Sequence, residues 1–78
     1  MKVKYIGPDI GVDGLINNHI YDVLEIDKLS GALRIIDESG EDYLYDPKKP
    51  QAIAGEYNGG KFEIISDPDN ELHKVINS

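Results

Sequence analysis

Apolar and polar residues alternate along five short stretches of the chain. In KVKYI, for example, Val3 and Tyr5 fall on one face and Lys2 and Lys4 on the other, because successive side chains of a strand point to opposite faces. HIYDVLEID, which is rich in β-branched and aromatic residues, predicts a longer and bent strand. The full pattern predicts strands at residues 2–6, 19–27, 32–37, 42–46 and 61–65.

Glycine, proline and asparagine separate these strands. Residues 7–18 contain isolated apolar positions among turn residues, which predicts a long loop held by a few apolar contacts. Gly31 and Gly40 occupy tight turns on either side of the third strand, so the three middle strands form a meander. Residues 47–60 form a second long loop before the fifth strand.

The C-terminal segment SDPDNELHKVIN changes to a helical period. Asp67 is suited to the N-cap and Pro68 to the first helical position. Leu72, Val75 and Ile76 then share one face of a short helix. So short a helix needs tertiary contacts, and its apolar face must pack on the sheet or on a neighbouring copy.

Five short antiparallel strands with a long first loop predict a mainly β fold, a small five-stranded SH3-like barrel. An OB-like (oligonucleotide-binding) barrel is the alternative. The predicted division is a barrel at residues 1–66 and a helical tail at 67–78. The period-2 spacing predicts one core made of these residues: Val3, Tyr5, Tyr21, Val23, Leu33, Ile35, Tyr43, Phe62 and Ile64.

Composition narrows the possible functions. The chain has 78 residues, no cysteine and a net charge of −7. This charge disfavours direct nucleic-acid binding, which depends on lysine and arginine at phosphates. MKVKYIGPD lacks the apolar run of a secretory signal, and no stretch has the roughly 20 apolar residues that span a bilayer. The expectation is a soluble cytoplasmic protein without a membrane partner.

Candidate catalytic and metal-binding residues are sparse. His19 and His73 have no metal-ligand spacing, and DPDNE lacks the later glycine and glutamate of a calcium loop. The serines have no histidine near them in sequence, and the glycine loops GVDG and YNGG lack the order of a phosphate-binding loop. We therefore expect no catalytic residues, no metal and no cofactor, and a protein that is not an enzyme.

Two stretches, NNHIYDVLEID and LRIIDESGEDYLYDP, resemble a group of small uncharacterised proteins of low-GC Gram-positive bacteria. In that group a GKxYEVL segment precedes a YRIIDDxGEDYLYP segment. The resemblance covers residues 3–45 and extends to 62–65. It implies an SH3-like barrel and no known activity. The inserted AIAGEYNGG and the helical tail depart from the group's pattern.

The run EDYLYDPKKP contains two further partial matches. LYDP is similar to the ALYDY stretch of SH3 peptide readers, and PKKP has the PxxP spacing of their ligands. In those readers ALYDY lies near the start of the domain, opposite a tryptophan. Here LYDP lies in the second half and the chain has no tryptophan, so both matches are interpreted as ordinary strand and turn residues.

The predicted hairpin formed by residues 32–37 and 42–46 combines acidic residues with tyrosines, which can attract a basic partner by charge and cation–π contact. The candidate partner-binding residues are Asp37, Glu38, Glu41, Asp42, Tyr43, Tyr45 and Asp46. The leading hypothesis is a non-catalytic module that binds a basic peptide or protein surface. One alternative is an assembly protein that homo-oligomerises through an edge strand or the tail helix. Another is an acidic mimic that inhibits a nucleic-acid-binding protein.

Overall fold

The computed structural model describes residues 1–51, 57 and 59–77, which form one antiparallel sheet followed by a helix. The five predicted strands are confirmed as β1 Lys2–Ile6, β2 Ile20–Ile26, β3 Leu33–Ile36, β4 Asp42–Tyr45 and β5 Lys61–Ser66. Their order in the sheet is β4-β3-β2-β1-β5. Among the described residues β4 and β5 do not pair, so the sheet is open and barrel closure is not confirmed.

Strand β2 pairs with β1 through its first half and with β3 through its second half. Its register to β3 shifts between Val23 and Glu25, and an extra residue of this kind bends a strand and increases its twist. The bent strand expected from the sequence is therefore present. Most of the predicted second loop lies outside the described residues, because 52–56 and 58 are not among them.

One face of the sheet carries the core. Its buried hydrophobic residues are Val3, Tyr5, Leu15, Tyr21, Val23, Leu33, Ile35, Tyr45, Phe62 and Leu72. The prediction that Tyr43 belongs to this core is wrong, since Tyr43 is 48% exposed, and Ile64 is only partly buried. Tyr43 and Tyr45 share a face, but Tyr43 lies nearer the hairpin turn on a strand with a sheet partner on one side only among the described residues.

The first loop contacts the core through Leu15, and Ile10 packs against the same cluster. Ile10 and Leu15 form an isolated antiparallel bridge, with hydrogen bonds of 2.8 and 3.2 Å between their backbone groups, and Leu15 is fully buried. Gly14 lies inside this bridge, where a Cβ would clash with the carbonyl oxygen of Ile10. The sequence-based expectation of a loop held by apolar contacts matches this arrangement.

The tail forms helix α1, Glu71–Ile76, which starts later than predicted. Its N-cap is Asn70, at a left-handed φ of 61°, so the assignments of Asp67 to the N-cap and of Pro68 to the first helical position are both wrong. Asp67 nevertheless caps the helix from a distance, because its carboxylate accepts the backbone N–H groups of Leu72 and His73 at 3.0 Å each. The turn at 67–70 places this carboxylate below the first helical turn.

Candidate functional site

A groove of about 380 Å³ separates the first loop from the β3–β4 hairpin. We call it the hairpin groove. Its loop wall consists of Ile10, Gly11, Asp13 and Gly14. Its hairpin wall consists of Asp37, Ser39, Tyr43 and Tyr45. Three of the predicted partner-binding residues are thus brought together at one concave surface, opposite a loop that the sequence did not connect with them.

Asp37 organises the floor of this groove from a buried position, with only 8% of the residue exposed. Its Oδ2 accepts the Tyr45 hydroxyl at 2.7 Å, and its Oδ1 accepts the backbone N–H of Ser39 at 3.0 Å and the Ser39 hydroxyl. Tyr45 itself is 2% exposed. Asp37 and Tyr45 therefore hold the hairpin turn in shape, and neither presents its polar group to a partner at the surface.

Glu38 joins the hairpin to the first loop and to β2. Its backbone N–H donates to the carbonyl of Gly14 at 2.9 Å. Its Oε2 accepts the Tyr21 hydroxyl at 2.6 Å and lies 3.0 Å from Nδ1 of His19. The Tyr21 oxygen in turn accepts the backbone N–H of Ile16 at 2.7 Å. This network fixes the spacing between the two walls of the groove.

Burial and the hydrogen bond to Glu38 raise the pKa of Tyr21, and burial and the hydrogen bond to Asp37 raise that of Tyr45. Both phenols thus stay protonated as donors to carboxylates. At Glu38 the hydrogen bond from Tyr21, followed by that from His19, lowers the carboxyl pKa. Glu38 is therefore an anion at neutral pH, and it is already engaged within the chain.

The remaining predicted site residues divide between the groove rim and the far end of β4. The Tyr43 hydroxyl donates to Glu41 at 2.9 Å, which orients the tyrosine ring. Asp42 lies outside the groove and pairs with Arg34 at 3.0 Å. Asp46 follows the far end of β4, where its Oδ1 accepts the backbone N–H groups of Lys48 and Lys49. Asp46 thus does not line the groove, although it directly follows Tyr45, which does.

Sequence reasoning missed the loop side of the groove. Asp13 is exposed and supplies the carboxylate of that wall, and Gly14 and Ile10 supply its backbone and apolar surface. No local pattern connects these residues with the hairpin 23 or more positions later, because the connection is made by the hydrogen bond between Glu38 and Gly14. The GVDG stretch was interpreted only as a failed phosphate-binding loop.

The two histidines lie apart. His19 belongs to the Glu38 network, and Nδ1 of His73 lies 2.7 Å from Asp67. Within the part of the chain that the structure describes, no three histidine or acidic side chains come close enough to hold a metal ion. In that same part no helix has the length and apolar character needed to cross a bilayer.

Comparisons of the chain with protein-family models, with curated proteins and with solved structures found no match. The geometry of the hairpin groove therefore has to carry the functional argument.

Proposed function

We propose that this chain is a non-catalytic interaction module, acting in the cytoplasm, that binds a lysine- or arginine-bearing peptide or protein surface in the hairpin groove. The observation that supports this proposal is the position of Tyr43. It is a large aromatic residue, 48% exposed, in a groove whose opposite wall carries the exposed carboxylate of Asp13.

The groove has the features that a basic side chain requires. A cation over an aromatic ring is attracted by the negative face of the ring, and a guanidinium group also stacks on it. Glu41 holds the Tyr43 hydroxyl, so the ring has little freedom to lose when a partner binds. Asp13 on the facing wall then offers an ion pair to the same cation.

We also propose that the open sheet is part of an SH3-like barrel, the fold implied by the resemblance to the bacterial group. Three features support it: a strand order that places β1 between β2 and β5, the bulge in β2, and a long loop between the first two strands. An experimental structure in which β2 runs straight across a flat sheet would contradict this part.

A short arginine-rich peptide, titrated into isotopically labelled protein, tests the function. We expect amide shifts concentrated at Asp13, Ser39 and Tyr43 and an affinity that falls as salt is added, because screening shortens the range of charge attraction to about 8 Å at physiological ionic strength. Tyr43→Ala and Asp13→Lys should each weaken binding severalfold.

Two matched variants control for exposure and charge. Tyr57 is 44% exposed, close to the value for Tyr43, but lies outside the groove, so Tyr57→Ala should bind as the wild type does. Asp22, exposed and paired with Lys2 at 3.0 Å, controls for the charge reversal as Asp22→Lys. Equal losses in the groove and control variants would refute a specific groove site. Tyr45→Ala is unsuitable, because it would empty the core.

Two other functions predicted from the sequence receive less support. The apolar stripe that motivated oligomerisation through the tail helix packs on the chain's own core, with Leu72 fully buried and Val75 and Ile76 against the same cluster. An acidic mimic needs carboxylates arrayed for a foreign basic groove. On the hairpin Asp37, Glu38 and Asp42 are instead engaged by side chains of this chain.

A further inference from the structure

We infer that a basic partner of the hairpin groove is a second copy of this chain, whose turn at Pro47, Lys48, Lys49 and Pro50 docks against Tyr43 and Asp13. This inference rests on the proposed function, because it assigns an occupant to the same groove. We call the donating segment the basic turn. PKKP is then the segment that binds in the hairpin groove of a second copy.

The basic turn has a defined shape before any contact. The side chain of Asp46 accepts the backbone N–H groups of Lys48 at 2.8 Å and of Lys49 at 2.9 Å, which closes a tight turn. Pro50 is fully buried and anchors the end of the turn to the domain. Both lysine residues are exposed, and the ammonium group of Lys49 lies 5.9 Å from the ring centre of Tyr57, a cation–π contact that docking on Tyr43 replaces. Little conformational entropy of the backbone is therefore lost when the turn docks.

The basic turn follows β4, whereas the groove extends from the hairpin turn along β4 as far as Tyr45. The hairpin turn precedes β4, and Asp46 and the basic turn follow it. Lys48 lines a second surface with Lys61, Phe62 and Ile76, near the end of the helix. Because Lys48 lines this second surface and not the groove, the turn is presented to the groove of another copy rather than to its own.

Charge distribution favours this contact despite the net charge of −7. Three of the eight basic residues, Lys48, Lys49 and Lys61, belong to the turn and its neighbouring surface, whereas the groove and its hairpin carry Asp13, Glu41 and Tyr43. Repulsion between whole molecules acts over long distances and is screened by physiological salt. The local pairing of unlike charges acts at contact and survives that screening better.

With one turn in one groove and no reciprocal contact between the same two copies, the association is heterologous. Each docked pair keeps one unoccupied groove and one unoccupied basic turn, so further copies add head to tail. One turn in one groove makes a small interface, and small interfaces are weak and transient. The expected behaviour is a concentration-dependent shift of average mass, without a single closed oligomer.

Sedimentation of complementary variants of the full chain at physiological salt tests the inference. Lys48→Glu with Lys49→Glu removes the turn and keeps the groove. Tyr43→Ala with Asp13→Lys removes the groove and keeps the turn. Each variant alone should remain monomeric, whereas their equimolar mixture should give dimers and nothing larger, because one functional groove then meets one functional turn. The wild type should continue to gain mass with concentration.

The arginine-rich peptide separates this inference from the proposed function. If the turn variant binds the peptide but the mixture stays monomeric, the self-association is refuted and the groove function stands. If the peptide fails to bind and the mixture stays monomeric, both are refuted. Wild-type association that persists in either double variant also overturns the inference. Should the groove variant unfold, Asp13→Lys alone, on an exposed loop position, replaces it in the mixture.

Discussion

The hairpin end and the helix end of this domain are both built around one shielded aspartate, yet they connect to the rest of the molecule differently. Asp37 gathers Ser39 and Tyr45, and Asp67 gathers two backbone N–H groups and the His73 ring. The side chain of Asp67 is 2% exposed. All the partners of Asp67 lie within six residues of it, so the helix end is a local structure.

The hairpin end is tied to distant parts of the chain. Next to Asp37, Glu38 contacts Gly14, His19 and Tyr21, which belong to the first loop and β2. Loosening this end therefore disturbs the sheet and the groove together. The helix end rests on the sheet mainly through Leu72, and it can separate without breaking a strand pairing. The difference predicts two levels of cooperativity within one small domain.

The largest expected effect is the loss of stability when a core residue is truncated in the sheet that both ends share. Ile35 is fully buried in β3, opposite Tyr43 in β4 and Val23 in β2. Ile35→Ala should cost about 2 to 4 kcal/mol, a large part of the roughly 5 kcal/mol that so small a domain has. Urea unfolding measures the loss, with Glu63→Ala on the exposed face as control at less than about 0.5 kcal/mol. Comparable losses in the two variants would mean that β3 does not lie in the centre of the core.

The second prediction separates the two tyrosines of β4. Tyr45→Phe leaves Oδ2 of a buried aspartate without its donor and should cost about 1 to 3 kcal/mol. Tyr43→Phe removes a hydroxyl that meets Glu41 at the exposed rim, and the free energy of unfolding should hardly change. Thermal or urea unfolding of both variants measures the two changes in stability. A larger loss from Tyr43→Phe would show that the assignment of the two rings is reversed.

The third prediction addresses the helix end alone. Leu72 is as fully buried as Ile35, and burial alone would suggest a similar cost. Because a helix of six residues can undock locally, we expect Leu72→Ala to cost about 1 to 2 kcal/mol, below the usual range of about 2 to 5. Amide exchange should rise throughout α1 and stay unchanged in β3. A loss equal to that of Ile35→Ala, with faster exchange in both elements, would mean that the two ends unfold as one unit.

The strands could be predicted from the sequence because each depends on alternation within a few residues. The spacing of Val3 and Tyr5 alone identifies the buried face of β1, and that of Tyr21 and Val23 identifies the buried face of β2. The assignment of Asp67 to the N-cap was wrong, although its carboxylate accepts two backbone N–H groups of the first helical turn, which are close to it in sequence. The start of the helix was misplaced because the left-handed Asn70 inserts a turn that composition does not reveal.

The groove could be predicted only in part. The hairpin side was found from its acidic and aromatic residues, but the predicted core contained Tyr43 and not Tyr45, whereas the structure buries Tyr45 and exposes Tyr43. Alternation cannot say which of two same-face tyrosines is buried. Which tyrosine is buried depends on the residues that pack over that part of the strand. The loop wall with Asp13 and Gly14 could not be found, because its position is set by a contact between residues far apart in sequence.

The smallest expected effect is a difference in acid sensitivity between the two ends. Hydrogen bonds from Tyr21 and then His19 lower the pKa of Glu38 from its ordinary value of 4.5. At Asp67 burial opposes ionisation, but hydrogen bonds from Leu72 and His73 outweigh it and lower the pKa from 3.8. For a carboxyl whose folded-state pKa is lowered, the stabilisation is fully present above the unfolded-state value and is lost as the pH falls through the folded-state value.

Glu38 should therefore begin to lose its contribution just below pH 4.5, and Asp67 only below 3.8. Urea titrations at a series of pH values give the free energy of unfolding as the pH is lowered. We expect Glu38→Gln to reduce the first part of the acid-induced loss, and Asp67→Asn to reduce the later part. Amide signals should follow the same order, with Ile16 and Gly14 of the loop changing before α1, because protonated Glu38 holds Tyr21 and His19 less well. If the amide signals of α1 changed first as the pH falls, the order would be reversed and the more acid-sensitive contact would lie at the helix end.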